Sequence, residues 1–367
     1  MTTSSPPERI AVVGTGLIGT SVALASARVG CSVRIWDEDP STLARSASRA
    51  GLEAAATFEA CVEDADLIVI ATPIPTIPGL VLRALAAAPG ALVTDVASIK
   101  SHIVAEIEAT GDPSDLSRWI PGHPMGGSER SGPDHASASV VDGIVWVLTP
   151  IEGAATEAIE SLESWVALIG ARPIRMAPDR HDRLVAFVSH LPQVASTALM
   201  GLAATEEADE PEILLLAAGG FRDLTRLASS NPTLWSDILL ANREALAEAI
   251  DLYVARLVVL RDGVLEGEAE LVRSTFAEAK QARLRLAAKP TVRAGVAVLQ
   301  VVVPDRPGAL AELTSVLGTG SVNIEDLQIV HSPEGGRGTV HLTVAATDVD
   351  AASRVLAKHD FDPTRLA

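Results

Sequence analysis

A glycine-spaced turn with a strand in front of it and a helix behind it constrains this chain more than any other feature. Arg9-Ile10-Ala11-Val12-Val13 is a short apolar run, as expected of a strand buried on both faces of a parallel sheet. It feeds directly into Gly14-Thr15-Gly16-Leu17-Ile18-Gly19, and a helix-forming stretch follows to Val29. Each glycine of a G-x-G-x-x-G turn has its own duty. Gly14 permits the tight turn, Gly16 lets the backbone approach a pyrophosphate, and Gly19 allows the helix to pack close to the strand. The N–H groups that open the helix, those of Leu17 and Ile18 included, face the phosphates. Ser32 to Trp36 reads as the second strand, and Asp37 closes it. A carboxylate there binds the adenosine ribose hydroxyls and repels a 2′-phosphate, which predicts NAD rather than NADP. Arg34 lies inside that strand rather than after Asp37, so packing or surface exposure is the expected role.

The alternation continues. A helix is predicted over Pro40 to Ala50, a strand over Leu67 to Ala71, a helix over Leu80 to Ala87 and a strand over Ala91 to Asp95. Trp119 to Ile120, Ile144 to Leu148 and Arg172 to Met176 read as later strands, with a helix from Gly153 to Ile169. The pattern predicts an α/β, Rossmann-type doubly wound parallel sheet. Thr72 and Pro73 fall at its carboxyl edge, either as cofactor contacts or as an ordinary loop start. After about Pro178 the texture becomes helical, with Leu and Ala at three- and four-residue spacing over Thr233 to Leu260 and Glu266 to Leu286. Helices so long and apolar often form a dimer interface. After Lys289-Pro290 strands and helices alternate again: Val296 to Val303, Pro307 to Leu317, Ile324 to His331, Thr339 to Ala345, Asp348 to Lys358 and a tail that can add a strand. That order predicts a small ferredoxin-like α+β module. The expected division is a disordered tail over 1–8, a nucleotide-binding domain over 9–177, a helical substrate and dimerisation domain over 178–289 and the small module over 295–367.

Composition removes other classes. With 29 Lys and Arg against 47 Asp and Glu, the net charge of −18 argues against nucleic-acid binding. No uninterrupted apolar run reaches membrane-spanning length, and the N-terminus lacks the basic and apolar regions of a signal peptide. Cys31 and Cys61 have no metal-ligand spacing, so no metal site and a cytoplasmic location are expected.

Four segments carry candidate chemistry. His123, in Gly122-His123-Pro124-Met125-Gly126-Gly127-Ser128-Glu129, follows the strand-like Arg118 to Ile120. It is either a loop histidine or the neutral imidazole that a hydride-transfer enzyme needs as a proton acceptor. His190, in Ser189-His190-Leu191-Pro192, is either a core histidine or one aimed into a cleft where Pro192 restarts the helix. Arg222 and Arg226 flank Asp223 after a double glycine, and either could grip a carboxylate or pair on the surface. Ser98, after the strand ending at Asp95, either faces the nicotinamide region or caps a helix beginning at Ile99.

Taken in order, Gly14-x-Gly16-x-x-Gly19, Asp95-Val-Ala-Ser-Ile-Lys100, Gly122-His-Pro-Met-Gly-Gly-Ser-Glu129, Ser189-His-Leu-Pro192 and Gly220-Phe-Arg-Asp-Leu-Thr-Arg-Leu-Ala228 resemble the prephenate/arogenate dehydrogenase family from about Glu8 to about Leu286. Val303-Pro-Asp-Arg-Pro-Gly-Ala-Leu310 and Val322-Asn-Ile-Glu-Asp-Leu327 resemble an ACT domain, an amino-acid-sensing module. The resemblance implies an NAD-dependent oxidative decarboxylation in tyrosine biosynthesis, acting on prephenate or arogenate. It implies His123 as proton acceptor, Ser98 as its assistant, Arg226 as carboxylate binder and His190 in the substrate pocket. Gly127 and Ser128 belong to the same motif and are expected to line that pocket. Trp235 matches a packing tryptophan. The ACT resemblance implies regulation by tyrosine or another aromatic amino acid, with Asp305 to Gly308 and Asn323 at the ligand loops. Gln193 stands where some relatives carry histidine, and so bears on the choice between prephenate and arogenate. A β-hydroxyacid dehydrogenase would want a catalytic lysine in the helical region, where Lys280 and Lys289 come late. A non-catalytic NAD- and amino-acid-binding regulator would not need His123, His190 and Arg226 together.

Overall fold

The structure is a computed structural model that describes residues 6–49, 51–126, 132–287, 296–304, 306–331 and 337–366. Gly127, Ser128 and Asp305, three of the expected ligand-contacting residues, and most of the expected tail lie outside the described residues. The chain divides into two compact units: residues 1–216 with 222–257, and residues 217–221 with 258–367.

In the first unit, five parallel strands run in the order Glu53–Ala54, Ser32–Trp36, Arg9–Val13, Leu67–Ile70, Leu92–Asp95. Ile10, Ala11, Val12 and Val13 are buried on both faces, which is why that stretch is continuously apolar. The order reverses between Arg9–Val13 and Leu67–Ile70, and the glycine turn sits at that switch point. A bridge from Val93 to Trp119 leads on to a second sheet of Gly122–Pro124, Val145–Leu148 and Arg172–Arg175.

The structure departs from the expected pattern at two places. Trp119-Ile120 contributes one bridge rather than a strand, and Gly122–Pro124 pairs antiparallel with Val145–Leu148, so His123 lies within a strand and not in a loop. Gly122 makes this possible. A side chain there would come within 2.9 Å of the Asp95 carbonyl, so only glycine lets this strand approach Asp95 so closely.

The helical part of this unit begins at Pro178–Val185 and continues through Ala186–His190 into Leu191–Glu206. Residues 186–190 form a π-helical turn. The cause is local: Pro192 has no N–H to give and its ring crowds the carbonyl four residues back. Pro178–Glu206 is also long and apolar enough to span a membrane by length and composition, with a mean hydropathy of 1.3 in its most apolar window. It nevertheless buries His181, Asp182, His190 and Gln193. The expected helix over Thr233 to Leu260 is two helices, Pro232–Ala241 and Arg243–Leu265, broken at Asn242.

In the second unit, helix Ala269–Ala287 precedes a four-stranded antiparallel sheet in the order Ile324–His331, Arg337–Ala345, Val296–Pro304, Pro363–Leu366. Helices Ala309–Thr319 and Val349–Lys358 bury Leu313, Leu317, Ala352 and Leu356 against Leu299, Val301, Val340 and Leu342. The tail does supply the final strand, completing the βαββαβ order.

Candidate active site

The glycine turn is shaped as its spacing requires. Gly14 has φ +92°, and a side chain on it would strike the Ala71 carbonyl and Thr72, while one on Gly19 would strike the Gly14 carbonyl at 1.9 Å. A side chain on Gly16 would instead project into open space, so nothing but hydrogen obstructs a phosphate beside that backbone. The helix Leu17–Arg28 starts without a side-chain cap, which leaves its first N–H groups for a ligand. Asp37 is half-buried and accepts from the Thr15 amide at 2.6 Å, the Thr15 hydroxyl at 3.0 Å and the Asp39 amide at 3.0 Å. Thr72 packs on this turn and takes the Thr76 hydroxyl at 2.8 Å, and Pro73 leads into the turn Ile74–Thr76. Arg34 is committed to the carbonyls of Ala60 and Glu63, away from Asp37. These residues fit a dinucleotide with free ribose hydroxyls.

Replacing Asp37 with alanine is therefore expected to raise the KM for NAD about ten- to a hundredfold, the worth of a charged hydrogen bond, and to move the NAD/NADP ratio toward NADP. Steady-state kinetics with both cofactors checks this.

His123 is half-buried on its strand. Its Nδ1 lies 2.8 Å from His181 Nε2, and His181 Nδ1 lies 2.8 Å from Asp182 Oδ1. Asp182 also accepts the amides of Lys100 at 2.8 Å and Ser101 at 2.7 Å. Its burial pulls the carboxyl pKa up, but the bonds from His181, Ser101 and Lys100 prevail and hold it below the usual range. Burial pushes the His123 imidazole well below its ordinary value, with His181, Lys100 and His190 adding to the shift. His123 is thus a neutral base at pH 7.

Two further groups brace the site. Lys100 and Asp95 are both fully buried and paired, and Lys100 Nζ also donates to the Gly122 carbonyl at 2.6 Å, beside His123. Burial lowers the Lys100 pKa, against the attraction of Asp95. On the other side, Asn242 Nδ2 donates to the Asp182 carbonyl at 2.9 Å and to His190 Nδ1 at 3.1 Å. His190 therefore carries its proton on Nε2. Burial pushes its pKa down to about 4, although Asp182 opposes the shift. Trp235 stands edge-on to it, ring centroids 6.1 Å apart.

The structure thus joins His123 and His190 through His181, Asp182 and Asn242, none of which the sequence reading singled out. Ser98 is half-buried in the loop after Asp95; the following helix starts at Ser101 with Lys100 at its cap position, so Ser98 is not an N-cap. Among the described residues no hydrogen bond joins Ser98 to His123. Arg226 opens the 3₁₀ turn Arg226–Ser229. Gln193 pins that turn, donating to the Leu227 carbonyl at 2.8 Å and accepting the Ser230 hydroxyl at 3.3 Å. Both its amide nitrogen and its oxygen are thus hydrogen-bonded to the turn.

Residues 22–175 match the family model for the prephenate dehydrogenase nucleotide-binding domain, 177–278 that for the prephenate dehydrogenase dimerization domain, and 297–361 that for the ACT domain. The chain is 32% identical to the prephenate dehydrogenase of Bacillus subtilis over 93% of each chain. It is 31% identical to the cyclohexadienyl dehydrogenase of Zymomonas mobilis, over 78% of this chain and 98% of that one. In structure it is similar to the A. aeolicus prephenate dehydrogenase in complex with hydroxyphenyl propionate and NAD+, at TM-score 0.71 and 26% identity over 76% of this chain and 98% of the other. The Synechocystis arogenate dehydrogenase gives TM-score 0.67 and 29% identity over 76% and 99%. With a nucleotide-binding sheet, a neutral histidine held between two buried networks and such relatives along nearly its whole length, the chain belongs to the prephenate dehydrogenase family and ends in an ACT domain.

Proposed function

We propose that this chain catalyses the NAD-dependent oxidative decarboxylation of prephenate to 4-hydroxyphenylpyruvate. The observation that carries the reading is His123, a neutral imidazole braced by Lys100, His181 and Asp182 on a strand next to the nucleotide-binding sheet. NAD supplies the hydride acceptor. His123 takes the proton of the ring hydroxyl as hydride leaves the carbinol carbon. The bond to the ring carboxylate breaks, its electron pair enters the ring and carbon dioxide departs. The ring aromatises, and the proton returns to the phenol oxygen. Aromatisation supplies the driving force, so the chain's own task is to orient the substrate and hold the proton.

Ser98 assists at the same hydroxyl, His190 offers its Nε2–H in the pocket, and Arg226 binds a substrate carboxylate. Gly14, Gly16, Leu17, Ile18, Gly19, Asp37, Thr72 and Pro73 hold the cofactor. On this reading Arg226→Ala raises the KM for prephenate about ten- to a hundredfold, the value of one charge-assisted bond. Gln193→Ala, by releasing the turn that carries Arg226, raises it severalfold with little change in kcat. Steady-state kinetics separates the two.

The domains fall at 9–177, 178–289 and 295–367, after a tail over 1–8. Exposed Phe187, Val188, Leu202 and Leu240 in the part matched to the dimerization domain favour a homodimer. The ACT domain binds tyrosine or another aromatic amino acid and regulates turnover; calorimetry with tyrosine, phenylalanine and tryptophan tests this, and no heat with any of them contradicts it. The enzyme works in the cytoplasm. NADH formation with prephenate and with arogenate tests the substrate, and faster turnover with arogenate contradicts the choice of prephenate.

A further inference from the structure

We propose that His181 and Asp182 are positioning residues that fix the tautomer of His123, leaving Nε2 as its one proton-accepting atom. The inference rests on the reading of His123 as the base, and the bookkeeping of donors carries it. Asp182 receives two backbone amides, Lys100 N at 2.8 Å on Oδ1 and Ser101 N at 2.7 Å on Oδ2. These donors cannot turn away, because they open the helix Ser101–Glu108 and need an acceptor. Asp182 is therefore an acceptor on both oxygens. Its Oδ1 lies 2.8 Å from His181 Nδ1, so that nitrogen carries hydrogen. On this proposal His181 is the neutral ring, with its lone pair on Nε2, which faces His123 Nδ1 at 2.8 Å. His123 must donate there, and its Nε2 is left bare.

The arrangement matters because a free imidazole in water favours the opposite tautomer, with hydrogen on Nε2. Left alone, His123 would mostly present a donor where the reaction needs an acceptor. When Nε2 takes the hydroxyl proton, His123 becomes a cation whose Nδ1–H already points through His181 to the Asp182 carboxylate. No atom has to reorganise, which is the role an orienting carboxylate plays beside a catalytic histidine. The charged and titratable groups around this line are Lys100 with Asp95 on one side and His190 on the other. His181 and Asp182 are almost wholly buried, so the line is closed to solvent at its far end. The two backbone amides that start it belong to the segment after the strand ending at Asp95. The fold of the nucleotide-binding sheet thereby sets the tautomer of a residue on another strand.

The test is long-range ¹H–¹⁵N correlation on the full chain labelled with ¹⁵N-histidine, at pH 7.5 and without substrate. His123 is assigned by its loss in His123→Asn. The expected result is a protonated Nδ1 and an unprotonated Nε2 on His123. A protonated Nε2 in the unaltered protein overturns the proposal, even if His123→Asn abolishes activity and the reading of the base survives. In His181→Phe, which keeps a ring but no acceptor, His123 is expected to revert to the Nε2–H form, with kcat down about tenfold or more and KM little changed. His181→Gln, which keeps an acceptor, recovers part of kcat. Equal kcat in His181→Phe and the unaltered protein also overturns the proposal. The wild-type spectrum decides the matter if His181→Phe does not fold.

Discussion

Replacing His123 with asparagine is expected to lower kcat by about 10²- to 10⁴-fold, the usual worth of a positioned general base, and to leave the Kd for NAD unchanged. Asparagine keeps a hydrogen-bonding side chain of similar reach but cannot hold a proton at neutral pH. The glycine turn at Gly14 to Gly19, proposed to hold the cofactor, makes no bond to His123, so binding and chemistry are expected to separate. The unaltered enzyme adds a second signature. Burial first, then His181, Lys100 and His190, hold the His123 pKa well below the ordinary value of about 6.5. The base is the unprotonated form, so activity falls only where pH drops far enough to protonate it. The acid limb of kcat/KM is accordingly expected well below 6.5, and flat behaviour is expected from there through pH 7. An acid limb at or above 6.5 contradicts the environment assigned to His123, as does a kcat within a fewfold of normal in His123→Asn.

The largest stability effect is expected at Lys100. Its ammonium is fully buried against Asp95, whose Oδ1 also takes the Ala97 amide at 3.0 Å and whose Oδ2 has no partner among the described residues. Lys100→Met leaves that carboxylate buried and uncompensated, which costs about 3–5 kcal/mol. Much of this is the desolvation of the orphaned charge rather than the worth of the pair. Asp95→Asn in the same chain removes the charge while keeping an acceptor for Ala97, so the double variant is expected to recover most of the loss. Urea denaturation of the three proteins measures it. A loss under about 1 kcal/mol in Lys100→Met, or no recovery in the double variant, contradicts the assignment of a charged pair. The position also matters for the site, since Lys100 ties the strand ending at Asp95 to the Gly122 carbonyl next to His123.

The sequence was informative where one local rule decides the outcome. The glycine turn, the parallel strands up to Asp95 and the tail strand of the C-terminal module follow from short-range sterics and pattern, and the structure repeats them with shifts of a few residues at their ends. Pro192 announced the disturbed helix at His190. The groups that brace the site were harder to find because their partners are remote in sequence: His181 meets His123 across 58 positions and Asn242 meets His190 across 52. In isolation Pro178-Asp-Arg-His-Asp-Arg183 reads as a solvated helix face. A usable signal existed, since His181 and Asp182 precede Val185 and Ala186 by four residues and so share their buried stripe. Asn242 carried a weaker one, as a poor helix former inside an apolar helical run. Lys100 and Asp95 flank Ser98 in the segment already noted, but nothing local distinguishes a buried pair from two surface charges.

The most direct test of the account is to incubate the purified chain with prephenate and NAD and to follow NADH and carbon dioxide together. Prephenate-dependent formation of both in equal amounts is expected, with 4-hydroxyphenylpyruvate as product. NADH without carbon dioxide, or no turnover from a protein that binds NAD, would contradict it.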